Sequence, residues 1–275
     1  MEPGSRDAKR PARGSRAKGP PEVNAGPGPG GVSGYGDSPE TSPLATCATD
    51  ARSCPQPAGI DRAGPSAARA GIESGALRGR ALFELLRDVP SRDRDGWLDE
   101  LLGFEDPPPD LATLPRGAVP YLPSGVDEIL AMVIEASIQP DDELVDLGSG
   151  LGRVVILAHL LSGARACGVE IQEPLVRLAT ARCAALGLPL VSFVHANAAD
   201  VELDGSVFFL YAPCNGAMLA GVLRRIETVA RRRPIVVCAV DLEFHGVPWL
   251  RARPTARVSL AVYDSCVPGV PLRSR

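Results

Sequence analysis

Glu143-Leu144-Val145-Asp146-Leu147-Gly148-Ser149-Gly150-Leu151-Gly152-Arg153 decides how this chain folds. Its first half is a short apolar run, and its second half places glycine at every other position. An apolar helical pattern, Arg153–Leu161, follows directly. A strand that turns through glycines into the start of a helix is the opening of a βαβ unit. The glycines let the backbone turn sharply and let a ligand approach without a Cβ clash. The helix start offers free N–H groups to an anion.

The same alternation continues downstream. Arg165–Glu170, Leu190–His195, Val207–Tyr211 and Pro234–Val240 read as strands, and Glu173–Leu186 and Asn215–Val229 as helices. Val258–Asp264 reads as a final strand, beside a short one around Trp249–Arg253. Runs such as Ile235-Val236-Val237-Cys238-Ala239-Val240 are apolar on both faces, as in a parallel sheet covered by helices on both sides. The fold class is therefore α/β, a doubly wound and mostly parallel sheet. Upstream, Ser124 and Asp127 suggest a capping box before the apolar spacing Val126, Ile129, Leu130, Val133 and Ile134.

The spacing of the loop separates two adenosine ligands. A dinucleotide fingerprint is G-x-G-x-x-G, whereas the third glycine here is Gly152 and residue 153 is Arg. Asp146 precedes the first glycine by two, where a dinucleotide site has no use for an acid. An amino-acid-bearing nucleoside has a use for it: the acid receives the amino group while the helix start receives the carboxylate. Glu170 ends the second strand, 22 residues beyond Gly148, and can accept both ribose hydroxyls. Asn197, with the Ala198 backbone, follows the third strand and is placed to meet the adenine edge.

These pieces, Asp146-Leu-Gly-Ser-Gly-Leu-Gly, Gly168-Val-Glu170, Ala196-Asn197-Ala198 and Phe208-Phe-Leu-Tyr211-Ala-Pro213, resemble the class I, seven-strand S-adenosylmethionine-dependent methyltransferases over residues 121–266. The resemblance implies strand order 3-2-1-4-5-7-6 with the last strand antiparallel. It implies S-adenosyl-L-methionine as cofactor, held by Asp146, Gly148, Ser149, Gly150, Gly152, Glu170, Asn197 and Ala198. An Asp is common in the family where this chain has Asn197. Val119-Pro-Tyr121-Leu-Pro123-Ser124 is similar to a stretch of the non-SET protein-lysine methyltransferases that folds over the cofactor, which adds Tyr121 to the set. The acceptor, a protein side chain or a small molecule, would then sit beyond the fourth strand, where Tyr211 and Asn215 are the candidate catalytic residues. Ala212-Pro213-Cys214 departs from the [N/D/S]-P-P-[Y/F] run of adenine and glutamine N-methylating enzymes. Asp241, Glu243 and His245 follow the fifth strand and can flank an acceptor. An oxidoreductase on the same fold, or a scaffold without activity, are the alternatives to weigh.

Composition sets the remaining bounds. From Met1 to Gly75, 24 residues are Gly or Pro, and few are bulky and apolar. Such a segment cannot offset its chain entropy, so residues 1–75 are expected to be a disordered tail. Residues 76–120 are expected to form a helical cap and an extended connector through Pro107-Pro108-Pro109, with Ser91 capping the second helix; residues 121–275 carry the cofactor domain. A net charge of −4 gives no reason to expect nucleic-acid binding. No run of about 18 apolar residues suggests a membrane span. Seven cysteines without a CxxC pair suggest small buried side chains in a reducing cytoplasm, and no metal site is expected. Lys9 and Lys18 are the only lysines.

Overall fold

The strand Glu143–Leu147 (β1) lies inside a seven-stranded sheet, between neighbours that are both parallel to it and reached by crossovers. The computed structural model describes residues 64–104 and 106–273, all within one compact unit spanning Pro57–Arg275. The strands Arg165–Glu170 (β2), Val191–His195 (β3), Val207–Tyr211 (β4), Val236–Val240 (β5), Leu250–Arg253 (β6) and Leu260–Ser265 (β7) lie in the order β3-β2-β1-β4-β5-β7-β6. The pairs among β1 to β5 are parallel, and β7 runs antiparallel to both β5 and β6. This is the order that the resemblance implied.

Side chains alternate across each strand, so the sheet feeds two cores. Leu144, Val207, Phe209, Cys238 and Val262 face one side; Val145, Leu147, Phe208, Leu210, Val237 and Tyr263 face the other. The first side is covered by Val126–Glu135 (α4), Arg153–Ser162 (α5) and part of Glu173–Ala185 (α6), and the second by Gly216–Ala230 (α7). Helices therefore cover both faces, more heavily on the first.

Three further helices, Pro65–Glu73 (α1), Gly79–Asp88 (α2) and Ser91–Leu102 (α3), add a layer outside the first face. Leu82, Leu86, Leu98, Leu101 and Leu102 are fully buried and join the core of α4 and α5. The helical cap thus packs on α4 and α5 and is no lid over the strand ends. The helix α1 lies inside the segment read from composition as tail. Pro65 starts it, where a missing N–H costs nothing, and Ala68 and Ile72 are buried. The part of that reading over residues 1–63 lies outside the described residues.

Two local expectations give way to tertiary contacts. Ser91 is the first residue of α3 and donates its hydroxyl to Asp127, with Pro90 at the cap position. The expected capping box at Ser124 and Asp127 does not form: Gly125 occupies the cap, and the Val126 N–H is accepted by Asp95 Oδ1 of α3 at 2.7 Å. Asp127 instead pairs with Arg94 of α3.

Candidate cofactor and acceptor site

The carboxyl ends of β1, β2 and β4 open into one cavity, lined by Asp146, Gly148, Ser149, Glu170, Asn197, Ala198, Tyr121 and Tyr211 among others. The glycine loop builds its floor. Gly148, Gly150 and Gly152 all have left-handed φ, at 88°, 54° and 85°. Each also faces a close neighbour: an added Cβ would overlap Pro213 at Gly148, the Tyr121 ring at Gly150 and Phe193 at Gly152. The loop is fixed against β2 by the Gly148 N–H, which donates to the Val169 carbonyl at 2.8 Å.

Three side chains give the floor its chemistry. Asp146 is buried and has no hydrogen-bonding partner among the described residues. Burial first, and the neighbouring Glu170 charge second, hold its carboxyl well above the usual carboxylate range. A cation placed against it would relieve that cost. The Ser149 hydroxyl is buried without a partner, a condition that a bound polar group would correct. Glu170 accepts the Gly150 N–H through Oε2 and the Gln172 N–H through Oε1, both at 2.9 Å. Each oxygen keeps a lone pair for a hydroxyl. These residues fit the amino group and the ribose of S-adenosylmethionine. Asn197 lines the wall, but its amide is turned into its own loop, donating to Asp200 at 2.7 Å and accepting the Ala199 N–H at 3.0 Å.

The roof is an extended strap, residues 110–124, that sequence reading placed only in part. Ala118 bridges to Cys214, and the Val119 N–H donates to the Pro213 carbonyl at 3.1 Å, so the strap is tied to the loop after β4. Tyr121 lays its ring over Gly150 and forms a backbone hydrogen bond with Leu151 through its hydroxyl. Beside it, Arg153 is buried at the start of α5 and pairs with Asp99 and Asp95 of α3, while donating to the Ser124 carbonyl at 3.1 Å. Arg153, Asp110 and Gln172 were not singled out from the sequence. Gln172 carried one signal, a polar residue two positions beyond a strand-end acid; Asp110 carried none.

On the acceptor side Tyr211 lines the cavity. Burial first, then the charges of Asp241 and Glu128, push its hydroxyl above the ordinary tyrosine value. Ala212 and Asp241, just past the ends of β4 and β5, are non-glycine residues with left-handed φ, at 36° and 51°. Asn215 stands at the N-cap position of α7 without a side-chain capping bond and is exposed outside the cavity lining. Glu243 and His245 pair with each other on the surface, also outside the lining. Cys214 lines the wall, but burial pushes its thiol up to about 11, so it is no thiolate nucleophile at neutral pH. His159, inside α5, hydrogen-bonds the Ala164 carbonyl and is held neutral by burial. Among the described residues no three His, Cys, Asp or Glu side chains gather as metal ligands, and no helix is long and apolar enough to cross a membrane.

Strand order, glycine loop, β1 acid and β2 acid are arranged as the resemblance to the class I S-adenosylmethionine-dependent methyltransferases implied. Residues 124–201 match the profile of a family described as histone methylation protein DOT1. Comparison with curated proteins finds no match. Among solved structures the chain is similar to an RNA methyltransferase from Salinibacter ruber in complex with S-adenosyl-L-homocysteine, at 26% identity over 54% of this chain and 95% of that one, with a TM-score of 0.44. It is similar also to a SAM-dependent methyltransferase from Geobacter sulfurreducens in complex with S-adenosyl-L-homocysteine, at 24% identity over 45% of this chain and 51% of that one, TM-score 0.36. A SAM-dependent methyltransferase from Aquifex aeolicus matches at 14% identity over 49% and 86%, TM-score 0.39.

Proposed function

We propose that this protein transfers the methyl group of S-adenosylmethionine to an amine of a protein side chain, with lysine the first acceptor to test. The observation that carries the transferase reading is the pairing of an uncompensated buried acid, Asp146, with a second acid, Glu170, across the glycine loop. The profile match to a histone methylation family supports the choice of a protein amine.

The cofactor supplies a sulfonium-bound methyl as electrophile. The protein's part is to hold nucleophile and methyl in line. Asp146 takes the cofactor's ammonium, and Glu170 takes its ribose. Tyr211 stands at the wall of the cavity in the negative field of Asp241 and Glu128. The amine must lose its proton before it attacks. Tyr211 keeps its own proton at neutral pH and so acts by orienting the amine through its oxygen.

The test is calorimetric binding of S-adenosylmethionine and S-adenosylhomocysteine, with NAD as control, followed by tritiated methyl transfer to a histone mixture. Binding lost in D146A and E170A, together with label on lysine, is expected. A folded wild-type protein that binds neither sulfur nucleoside overturns the reading. Binding of NAD alone transfers it to an oxidoreductase.

A further inference from the structure

Hydrogen bonds and one packing contact around the cavity close into a ring. Glu170 holds the Gly150 N–H on one side and the Gln172 N–H on the other. Gln172 then reaches the strap with both ends of its amide. Nε2 donates to Asp110 Oδ1 at 2.7 Å, and Oε1 accepts the Leu111 N–H at 2.9 Å. Asp110 Oδ1 also accepts the Tyr121 N–H at 3.0 Å, across the strap's own loop. Tyr121 returns to Gly150 by packing its ring on the backbone there. Gln172 stands at the N-cap of α6 yet makes no capping bond. The residue is 4% exposed, and every hydrogen bond its side chain makes goes to the strap.

We propose that Gln172 is a positioning residue that latches the 110–124 strap over the bound cofactor and sets how long the cofactor stays. The proposal rests on the S-adenosylmethionine reading above. Glu170 is held by the backbone N–H of Gln172, so a change of the Gln172 side chain loosens the strap and leaves the ribose acid in place. Asp110 is exposed, and the latch therefore opens at its solvent end.

The test uses the full chain and S-adenosylhomocysteine, with association and dissociation read by surface plasmon resonance. Q172A and the exposed-site variant D110A should each release the ligand about tenfold faster, since each removes a buried or bridging hydrogen bond, with little change in association rate. Q172E keeps the Leu111 bond but sets two carboxylates against each other, and should release as fast. Hydrogen exchange of the ligand-free protein gives an independent readout: the Leu111 and Tyr121 amides should exchange faster in Q172A, and those of β1 should not. Unchanged release in D110A and Q172A overturns the latch. A wild type that binds no S-adenosylhomocysteine while exchange at Leu111 responds to Q172A instead overturns the cofactor reading alone.

Discussion

Asp146 illustrates how a functional residue works against the stability of its own fold. Its carboxyl titrates higher in the folded state than in the unfolded chain, because burial and Glu170 both disfavour the charge. The folded state therefore binds the proton more tightly, and stability is greatest below about pH 4 and falls as pH rises through the raised pKa. Asp146→Asn removes that fall. The ligand-free variant should melt above wild type at pH 7 to 8 and level with it near pH 3.5, while losing cofactor binding; thermal melts across that range check it. Tyr211 is shifted in the same direction, since burial and nearby acids keep its hydroxyl protonated past the ordinary tyrosine value near 10. With a lysine acceptor, kcat/KM should climb with pH toward about 10 as the amine deprotonates, with no descending limb below that. Tyr211→Phe should lower kcat and leave S-adenosylmethionine binding unchanged. The residues that set this chemistry were legible in the sequence where they sit on consecutive positions, as Asp146 to Gly152 do. Glu170 was legible because a strand end is a fixed place in this architecture. Gln172 with Asp110 and Arg153 with Asp99 are pairs 62 and 54 residues apart in the chain, and no local pattern encodes such a pairing.

At the scale of elements, apolar spacing located the strands and most helices to within a few residues. What it could not assign was the surface each helix would cover. The apolar stripe of α2 and α3 is the same whether it closes a lid or joins the core on α4 and α5. The choice is made by Arg153, whose guanidinium is buried between α5 and the aspartates of α3. The capping box failed for the same reason: Asp127 gains more from the charged Arg94 of α3 than from a backbone N–H of its own helix. Arg153→Met should therefore destabilise the protein by about 2 kcal/mol, below the usual cost of breaking a buried pair because Asp95 and Asp99 remain partly exposed. Denaturant midpoints measure this, and Arg153→Lys should recover only part of the loss, since one ammonium cannot serve Asp99 and the Ser124 carbonyl as a planar fork does.

For the molecule as a whole, composition and pattern pull in different directions around residue 70. Averaged over the first 75 residues, glycine and proline hide a nine-residue helix whose buried face is only Ala68 and Ile72. That short face matters because it covers α3. A chain beginning at Pro57 should keep the stability of the folded unit, whereas one beginning at residue 76 should lose about 2 to 3 kcal/mol, the worth of burying Ile72 and part of its partners. Urea unfolding of the two chains decides it, and equal midpoints would show that α1 contributes nothing. The strap has a consequence of another kind, for the order of events in turnover. It is tied down beside β2 by Gln172 and beside β4 by Pro213, and Val119 to Ser124 of the strap line the same cavity as Tyr211. If the strap closes over the donor as proposed, turnover is expected to follow a compulsory order: donor first, acceptor second, methylated product out, and the spent nucleoside last. Inhibition by S-adenosylhomocysteine should accordingly be competitive against the donor and noncompetitive against the acceptor.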